Sequence, residues 1–151
     1  MCLGNICRSP AAQGVLQQIV DREGFAKDWD IDSAATSDYN EGRRPDRRMR
    51  VAARRRGLEL NHVCRQVMER DFDRFDVIVA MDDNNRRNLA MLAPTIEAEN
   101  KIVMMSDWLS EPLRRRYDYI PDPYYEGAEG FELVLDLLED ACRNFYNTYR
   151  P

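Results

Sequence analysis

The sequence lacks any apolar stretch long enough to cross a bilayer, since its longest is near 77–81. It also lacks a charged-then-apolar leader, internal repeats and low-complexity segments. An excess of positive charge is absent as well: 22 basic and 27 acidic residues give a net charge of −5, which argues against a general nucleic-acid binder. These absences predict one cytoplasmic domain over residues 1–151, with neither membranes nor nucleic acids as partners.

Histidine and cysteine are scarce. His62 is the only histidine, and a lone histidine is more often a structural residue than a catalyst. The four cysteines have no disulfide-framework spacing, which favours reduced thiols and a cytoplasmic protein.

Hydrophobic periodicity alternates between helices and strands along the chain. Helices are predicted over 11–21, 46–56, 84–92 and 131–145, and strands over 29–35, 75–81 and 101–105. This alternation predicts an α/β fold with a parallel, doubly wound sheet.

A cysteine and an arginine separated by five residues stand at the start of the chain, in Cys2-Leu3-Gly4-Asn5-Ile6-Cys7-Arg8-Ser9-Pro10. A short loop that runs into a helix can aim successive backbone N–H groups at one oxyanion, and the helix N-terminus adds positive charge. These groups and the Arg8 guanidinium would favour a Cys2 thiolate beneath a bound phosphate. Arg8 would hold two phosphate oxygens through its planar fork. The pattern predicts a phosphate-binding loop with a nucleophile at its base.

Each part of this motif also has a plainer interpretation. Gly4-Asn5 is an ordinary turn pair, Ser9-Pro10 is an ordinary helix start with serine as N-cap, and the two cysteines suit a metal or redox pair. The phosphate loop is favoured because all nine residues fit it together: Gly4 and Asn5 tolerate positive φ, and a helical pattern follows at once.

These nine residues resemble the signature of the low-molecular-weight protein tyrosine phosphatases. The similarity covers nearly the whole chain, through Ser33-Ala34-Ala35-Thr36-Ser37, Gly42, Pro45-Asp46, His62, Arg65-Gln66, Met81-Asp82 and Asp122-Pro123-Tyr124-Tyr125. The resemblance implies a flavodoxin-like three-layer sandwich with a four-stranded parallel sheet. It also implies metal-independent, cofactor-free hydrolysis of phosphotyrosine or small aryl phosphates through a cysteinyl-phosphate, with phosphate, sulfate or vanadate as site ligands.

The first strand of that fold is missing from this chain. The family has an apolar run before its catalytic cysteine, whereas only Met1 precedes Cys2 here. Without an inner strand, peptide groups on both neighbouring strands would be unpaired, so residues 1–151 alone are predicted not to form a stable monomer. Three alternatives stay open: a longer natural chain, a strand borrowed from a second copy in a homodimer, and a rearranged, inactive sheet.

Asp122, between two prolines, is the candidate general acid. A positioned carboxyl eases expulsion of a phenolate and can later activate water against a cysteinyl-phosphate, whereas the plainer alternative is an Asp-Pro turn. By resemblance, Ile6, Tyr39, Tyr124 and Tyr125 form the rim of a deep, phosphotyrosine-selective pocket. Ile6 favours phosphotyrosine because the related protein arginine phosphatases carry threonine there.

The resemblance also assigns residues around the loop. His62, with Asn5, Ser9 and Ser33, would fix the loop's left-handed turn through hydrogen bonds. Asp82 would orient the loop's arginine, or else serve only as the N-cap of the next helix.

Cys7 would protect an oxidised Cys2 by forming a disulfide with it, or is a small buried filler. Cys64 and Cys142 are interpreted as core residues. The arginine run within 43–56 is interpreted as a solvated helix face, with steering of anionic phosphoproteins as the alternative.

The predicted function is therefore a phosphotyrosine phosphatase. Cys2 attacks phosphorus, Arg8 and the loop amides stabilise the transition state, Ser9 eases departure of the thiolate, and Asp122 acts as acid and then base. The rivals are an arsenate reductase, whose extra redox cysteines are absent from 81–92, a protein arginine phosphatase, and a truncated, inactive or strand-swapped phosphotyrosine-binding form.

Overall fold

The computed structural model describes all residues from Met1 to Pro151. Its helices are α1 (Arg8–Glu23), α2 (Arg47–Arg54), α3 (Asp71–Arg74), α4 (Asp83–Leu92), α5 (Ile96–Glu99), α6 (Glu111–Arg114) and α7 (Ala128–Tyr149). Its strands are β1 (Ile78–Ala80) and β2 (Ile102–Met104), and 3₁₀ turns cover Ala26–Asp28 and Met105–Trp108.

β1 and β2 form a parallel sheet, with Ile78 opposite Ile102 and Ala80 opposite Met104. Successive side chains of β1 enter different apolar clusters, because side chains alternate between the faces of a strand. Ile78 and Ala80 belong to a cluster with residues of α3, α4 and α5, whereas Val79 packs against a larger cluster built from α1, α2 and α7. Helices therefore cover both faces of the sheet, which confirms the predicted α/β class.

The predicted four-stranded sheet is observed only as these two strands. The segment 29–35, predicted as a strand, pairs only at Ala35, through isolated parallel bridges to Cys2 and Gln66. A strand is defined by its backbone pairing with a neighbouring strand, and the backbone of 29–33 makes no backbone–backbone hydrogen bond to another segment. The strands predicted over 75–81 and 101–105 are present as β1 and β2, but each is only three residues long in the structure.

The four predicted helices are confirmed, with shifted ends. α1 begins at Arg8, so its N-cap is Cys7 and not the predicted Ser9. It ends at Glu23, and the C-cap residue Gly24 has a φ of 83°, which suits a residue without a Cβ. The Asp82 side chain caps α4 in a reciprocal box with Asn85.

α7 buries one face against α1 and α2, and the buried side chains are Phe131, Val134, Leu135, Leu137, Leu138, Ala141, Cys142, Phe145 and Tyr146. Trp29 and Trp108 pack on the C-terminal part of this helix. Their rings lie 6.3 and 4.9 Å from the Phe145 ring. Trp29 also contacts Tyr146, and Trp108 contacts Tyr149.

The arginine run is only partly a solvated face. Arg56 forms ion pairs with three acidic side chains of α7, namely Glu132, Asp136 and Glu139. It therefore holds the segment that follows α2 against α7, which corrects the solvated-face interpretation at this position. No helix of the structure combines the length and apolarity needed to cross a membrane.

Candidate active site

The loop Leu3–Ser9 presents seven successive backbone N–H groups, none of which donates a hydrogen bond to an acceptor of the protein. Unpaired N–H groups are rare in folded proteins because leaving them unpaired costs free energy when they are buried. α1 begins inside this loop without a side-chain cap, so its first-turn N–H groups face the same way. The loop is thus suited to an anion with several oxygens.

The Cys2 thiol is buried at the base of the loop, with Sγ 3.0 Å from Ser9 Oγ. Asn5 Nδ2 donates to the same Ser9 oxygen at 2.8 Å. Because that oxygen accepts from Asn5, the Ser9 hydroxyl hydrogen is free to point at Sγ. This arrangement places a hydroxyl group within hydrogen-bond distance of the Cys2 sulfur.

Asn5 organises the turn of the loop in the left-handed region, at φ 55°. Its Nδ2 also donates to Ser33 Oγ at 2.9 Å, and its Oδ1 accepts from the Arg65 N–H at 3.2 Å. His62 Nε2 lies 2.7 Å from the same Oδ1. The four residues predicted to fix this turn, Asn5, Ser9, Ser33 and His62, are therefore brought together by the structure.

His62 is a neutral hydrogen-bond donor in this network. Burial lowers the pKa of its ring, and the nearby Asp32 and Arg65 act in opposite directions on it. Since Asn5 Oδ1 is an acceptor, Nε2 carries the ring proton.

Arg8 is buried, and its guanidinium contacts residues outside the loop. Its Nη1 donates to Asp82 Oδ2 at 2.6 Å and to the Ile120 carbonyl at 2.9 Å. Nη2 lies 3.7 Å from Asp122 Oδ2. Nε and Nη2 make no hydrogen bond to the protein, so two donors of the fork remain for an oxyanion. Asp82 both orients Arg8 and caps α4, so the two alternatives for this residue coexist.

Asp122 lies in the loop between Ile120 and α7. Its Oδ1 accepts from the Tyr124 N–H at 3.1 Å, and its side chain is 46% exposed. The carboxyl thus stands beside the Arg8 guanidinium and is open to solvent. The Tyr124 and Tyr125 rings form an edge-to-face pair 5.0 Å apart, and both are exposed, as is Tyr39.

Two contacts that support the phosphate loop are absent from the sequence predictions. Asn40 Nδ2 donates to the Gly4 carbonyl at 3.1 Å, and Ser37 Oγ donates to the Leu3 carbonyl at 2.7 Å. A Cβ on Gly4 would lie 2.7 Å from Asn40 Nδ2, so a larger residue at this position would displace the Asn40 side chain. The turn-like composition of 37–42 is the only sequence signal for this support.

All four cysteines are free and buried. Burial raises the pKa of Cys7, helped by the negative charges of Asp46, Cys2 and Asp122. Cys64 Sγ donates to the Asn5 carbonyl at 2.8 Å, so this thiol supports the loop as well as filling the core. No cluster of three or more His, Cys, Asp or Glu side chains is arranged to bind a metal ion.

Comparison with known proteins agrees with this geometry. The family model of the low molecular weight phosphotyrosine protein phosphatases matches residues 1–150. A putative low molecular weight protein-tyrosine-phosphatase of Synechocystis is 44% identical over 144 residues, which are 95% of this chain and 90% of that protein. The low molecular weight phosphotyrosine protein phosphatase of Homo sapiens is 37% identical over 146 residues, 96% and 90% of the two chains.

A crystal structure of a protein tyrosine phosphatase from Entamoeba histolytica, with Hepes in its active site, matches with a TM-score of 0.92 at 39% identity. The match covers 97% of this chain and 92% of that one. The chain therefore belongs to the low molecular weight phosphotyrosine protein phosphatase family. The resemblance and the predicted phosphatase class are confirmed.

Proposed function

We propose that this protein hydrolyses phosphotyrosine through a cysteinyl-phosphate intermediate. The observation that carries the proposal is the loop of seven unpaired N–H groups around a thiol that lies 3.0 Å from the Ser9 hydroxyl. A phosphate dianion supplies several acceptor oxygens to such a loop, and the thiol is placed to attack its phosphorus.

The first step forms an S–P bond and breaks the P–O bond to the phenol. Cys2 Sγ attacks, Arg8 and the loop N–H groups hold the equatorial oxygens, and the Asp122 proton goes to the leaving oxygen. In the second step a water oxygen attacks phosphorus and gives its proton to Asp122. Sγ leaves as a thiolate, stabilised by the Ser9 hydroxyl, and inorganic phosphate is released.

Cys2→Ser tests the nucleophile directly. Turnover of an aryl phosphate should be abolished, whereas phosphate or vanadate binding by calorimetry should persist because the N–H groups and Arg8 remain. Cys142→Ser, in the core beside α1, is the matched control and should retain turnover. Retained turnover in Cys2→Ser would contradict the mechanism.

The rim of Ile6, Tyr39, Tyr124 and Tyr125 is proposed to select phosphotyrosine. Aromatic rings stack on a phenyl group, and the apolar Ile6 side chain offers no hydrogen bond to a guanidinium. Hydrolysis rates on matched phosphotyrosine and phosphoarginine peptides test this choice, and faster release from phosphoarginine would favour the arginine phosphatase alternative.

A cytoplasmic location is proposed as well, because four free cysteines suit a reducing compartment. Homodimer formation remains a prediction, which light scattering tests.

The sheet of the active enzyme is proposed to have four parallel strands in one domain, with 29–35 and a strand ending at Cys2 beside β1 and β2. Cys2 bridges Ala35, and the Met1 amine donates to the Val79 carbonyl at 2.7 Å. Residues 1 and 2 thus lie between the segment 29–35 and β1. A cavity of about 400 Å³ lies alongside Met1, lined by 28–33, 75–79, α1 and α7.

An added N-terminal segment tests this sheet. Five apolar β-branched residues placed before Met1 should raise the thermal unfolding midpoint, protect the Ile31 and Val77 amides from hydrogen exchange, and raise aryl phosphatase activity. A five-residue Gly-Ser extension is the control. If the original chain is monomeric, cooperatively folded and as active as the extended one, the strand is dispensable.

A further inference from the structure

We infer that Arg48 positions the loop 121–126 and thereby places the Asp122 carboxyl at the leaving group. This inference rests on the proposed function, in which Asp122 is the acid. Arg48 touches none of the reacting atoms, so its role is that of a positioning residue.

The loop 121–126 makes few hydrogen bonds to the rest of the protein. Its internal bonds run from the Tyr124 N–H to Asp122 Oδ1 and from the Glu126 N–H to the Pro123 carbonyl. Pro121 and Pro123 have no N–H to donate. One hydrogen bond reaches this loop from another element, and its donor is Arg48.

Arg48 makes that bond from Nη1 to the Tyr124 carbonyl at 3.0 Å. Its guanidinium also lies 5.1 Å from the centre of the Tyr124 ring and 4.8 Å from that of Phe131 on α7. Cation–π contacts of this length are attractive. A single planar group therefore holds both the backbone and the ring of the residue two places after Asp122.

The same guanidinium is oriented by a second contact, which it makes with the Asp46 carboxylate. Nε donates to Asp46 Oδ1 at 3.1 Å and Nη2 to Oδ2 at 2.9 Å, a two-bond pairing that orients the guanidinium. Asp46 itself is anchored to the phosphate loop, since its N–H donates to the Ile6 carbonyl at 2.8 Å. Ile6, Asp46, Arg48 and Tyr124 thus form a continuous connection from the phosphate loop to the acid loop.

The side chain of Arg48 is 48% exposed, so charge attraction alone is screened by water and contributes little. The connection depends on the planar fork, which can bond the Asp46 carboxylate and the Tyr124 carbonyl at once. Lysine has no such fork. Arg47, the preceding residue, forms no side-chain hydrogen bond or ion pair and supplies the matched control.

Leaving-group dependence tests this role. We expect Arg48→Ala to lower kcat/KM about tenfold on phosphotyrosine, which needs a proton for its phenolate, and much less on an aryl phosphate with an activated phenol. Arg48→Lys should resemble Arg48→Ala, and Arg47→Ala should resemble the wild type. In an Asp122→Ala background, Arg48→Ala should have no further effect. Equal losses on both substrates, or a full loss in the Asp122→Ala background, would overturn the inference.

A second measurement separates failure of this inference from failure of the proposed function. Amide hydrogen exchange at Tyr124–Glu126 should accelerate in Arg48→Ala but not in Arg47→Ala, with α2 amides unchanged. This result does not depend on activity. Unchanged exchange in this loop would refute the positioning role even if Cys2→Ser confirms the phosphatase mechanism.

Discussion

Asn5 is the residue at which most hydrogen bonds of the site meet. Its side chain contacts Ser9, Ser33, His62 and the Arg65 N–H, while its carbonyl accepts from Cys64. Its position in the nine-residue motif could be recognised from the sequence because the motif is contiguous. Asn40 could not be recognised in the same way, since it supports Gly4 across 36 positions of the chain with no periodic pattern.

Asp122→Ala should lower kcat/KM on phosphotyrosine by about 10²–10⁴-fold, because a positioned acid contributes that much to a poor leaving group. The loss should be smaller with an activated phenol, which needs no proton. Steady-state kinetics on the two substrates measure the difference, and equal losses would assign Asp122 a structural role only.

Cys7 should make the peroxide inactivation of Cys2 reversible. A sulfenic acid on Cys2 can be attacked by Cys7, which forms a disulfide and releases water. After mild peroxide, dithiothreitol should restore the wild type, whereas Cys7→Ser should lose activity for good. Burial raises the pKa of Cys7, so disulfide formation should be faster at alkaline pH. Equal recovery of the two proteins would mean that Cys7 only fills space in the core.

Helices were more predictable from the sequence than strands. The apolar spacing of α7 is a property of its own residues, whereas a strand at 29–35 depends on a neighbouring strand that its own sequence does not specify.

Identical residues in the arginine run differ in role: the Arg48 and Arg56 side chains contact other elements, while that of Arg47 contacts none. Composition cannot separate them, because the difference depends on which elements pack nearby.

Gly130, in the first turn of α7, allows the acid loop to pack on the helix. A Cβ there would lie 2.5 Å from Glu126 Cβ and 3.8 Å from Pro123 Cβ. Gly130→Ala should therefore displace the loop, although alanine favours a helix by about 1 kcal/mol. We expect kcat/KM on phosphotyrosine to fall by about tenfold or more while the thermal midpoint changes little.

Gly127→Ala is the control for this change, because its Cβ would approach only the flexible end of Glu129, at 3.0 Å. Wild-type kinetics in Gly130→Ala would show that the loop adapts freely.

Over the whole molecule, stability should fall in mild acid because of His62. Burial lowers the pKa of His62 from its ordinary 6.5, so below that value the unfolded chain binds more protons than the folded one. The contribution of the neutral His62 ring to the free energy of unfolding is complete above pH 6.5. It decreases as the pH falls toward the pKa of His62 in the folded protein. Urea unfolding from about pH 7.5 to about pH 5 measures it.

His62→Gln is the informative variant, because its amide can still donate to Asn5 Oδ1 but does not titrate. Its unfolding free energy should depend less on pH over the same interval. An unchanged slope would mean that other groups cause the loss of stability.

Both tryptophans of the chain pack against the same helix, α7, and this has a spectroscopic consequence. Trp29 and Trp108 share Phe145 as a contact, and the chain has no other tryptophan. Tryptophan emission therefore reports on the packing around the C-terminal part of α7. If that part undocks before the phosphate loop unfolds, emission changes will precede the loss of vanadate binding during a denaturant titration, and the two signals will give different midpoints.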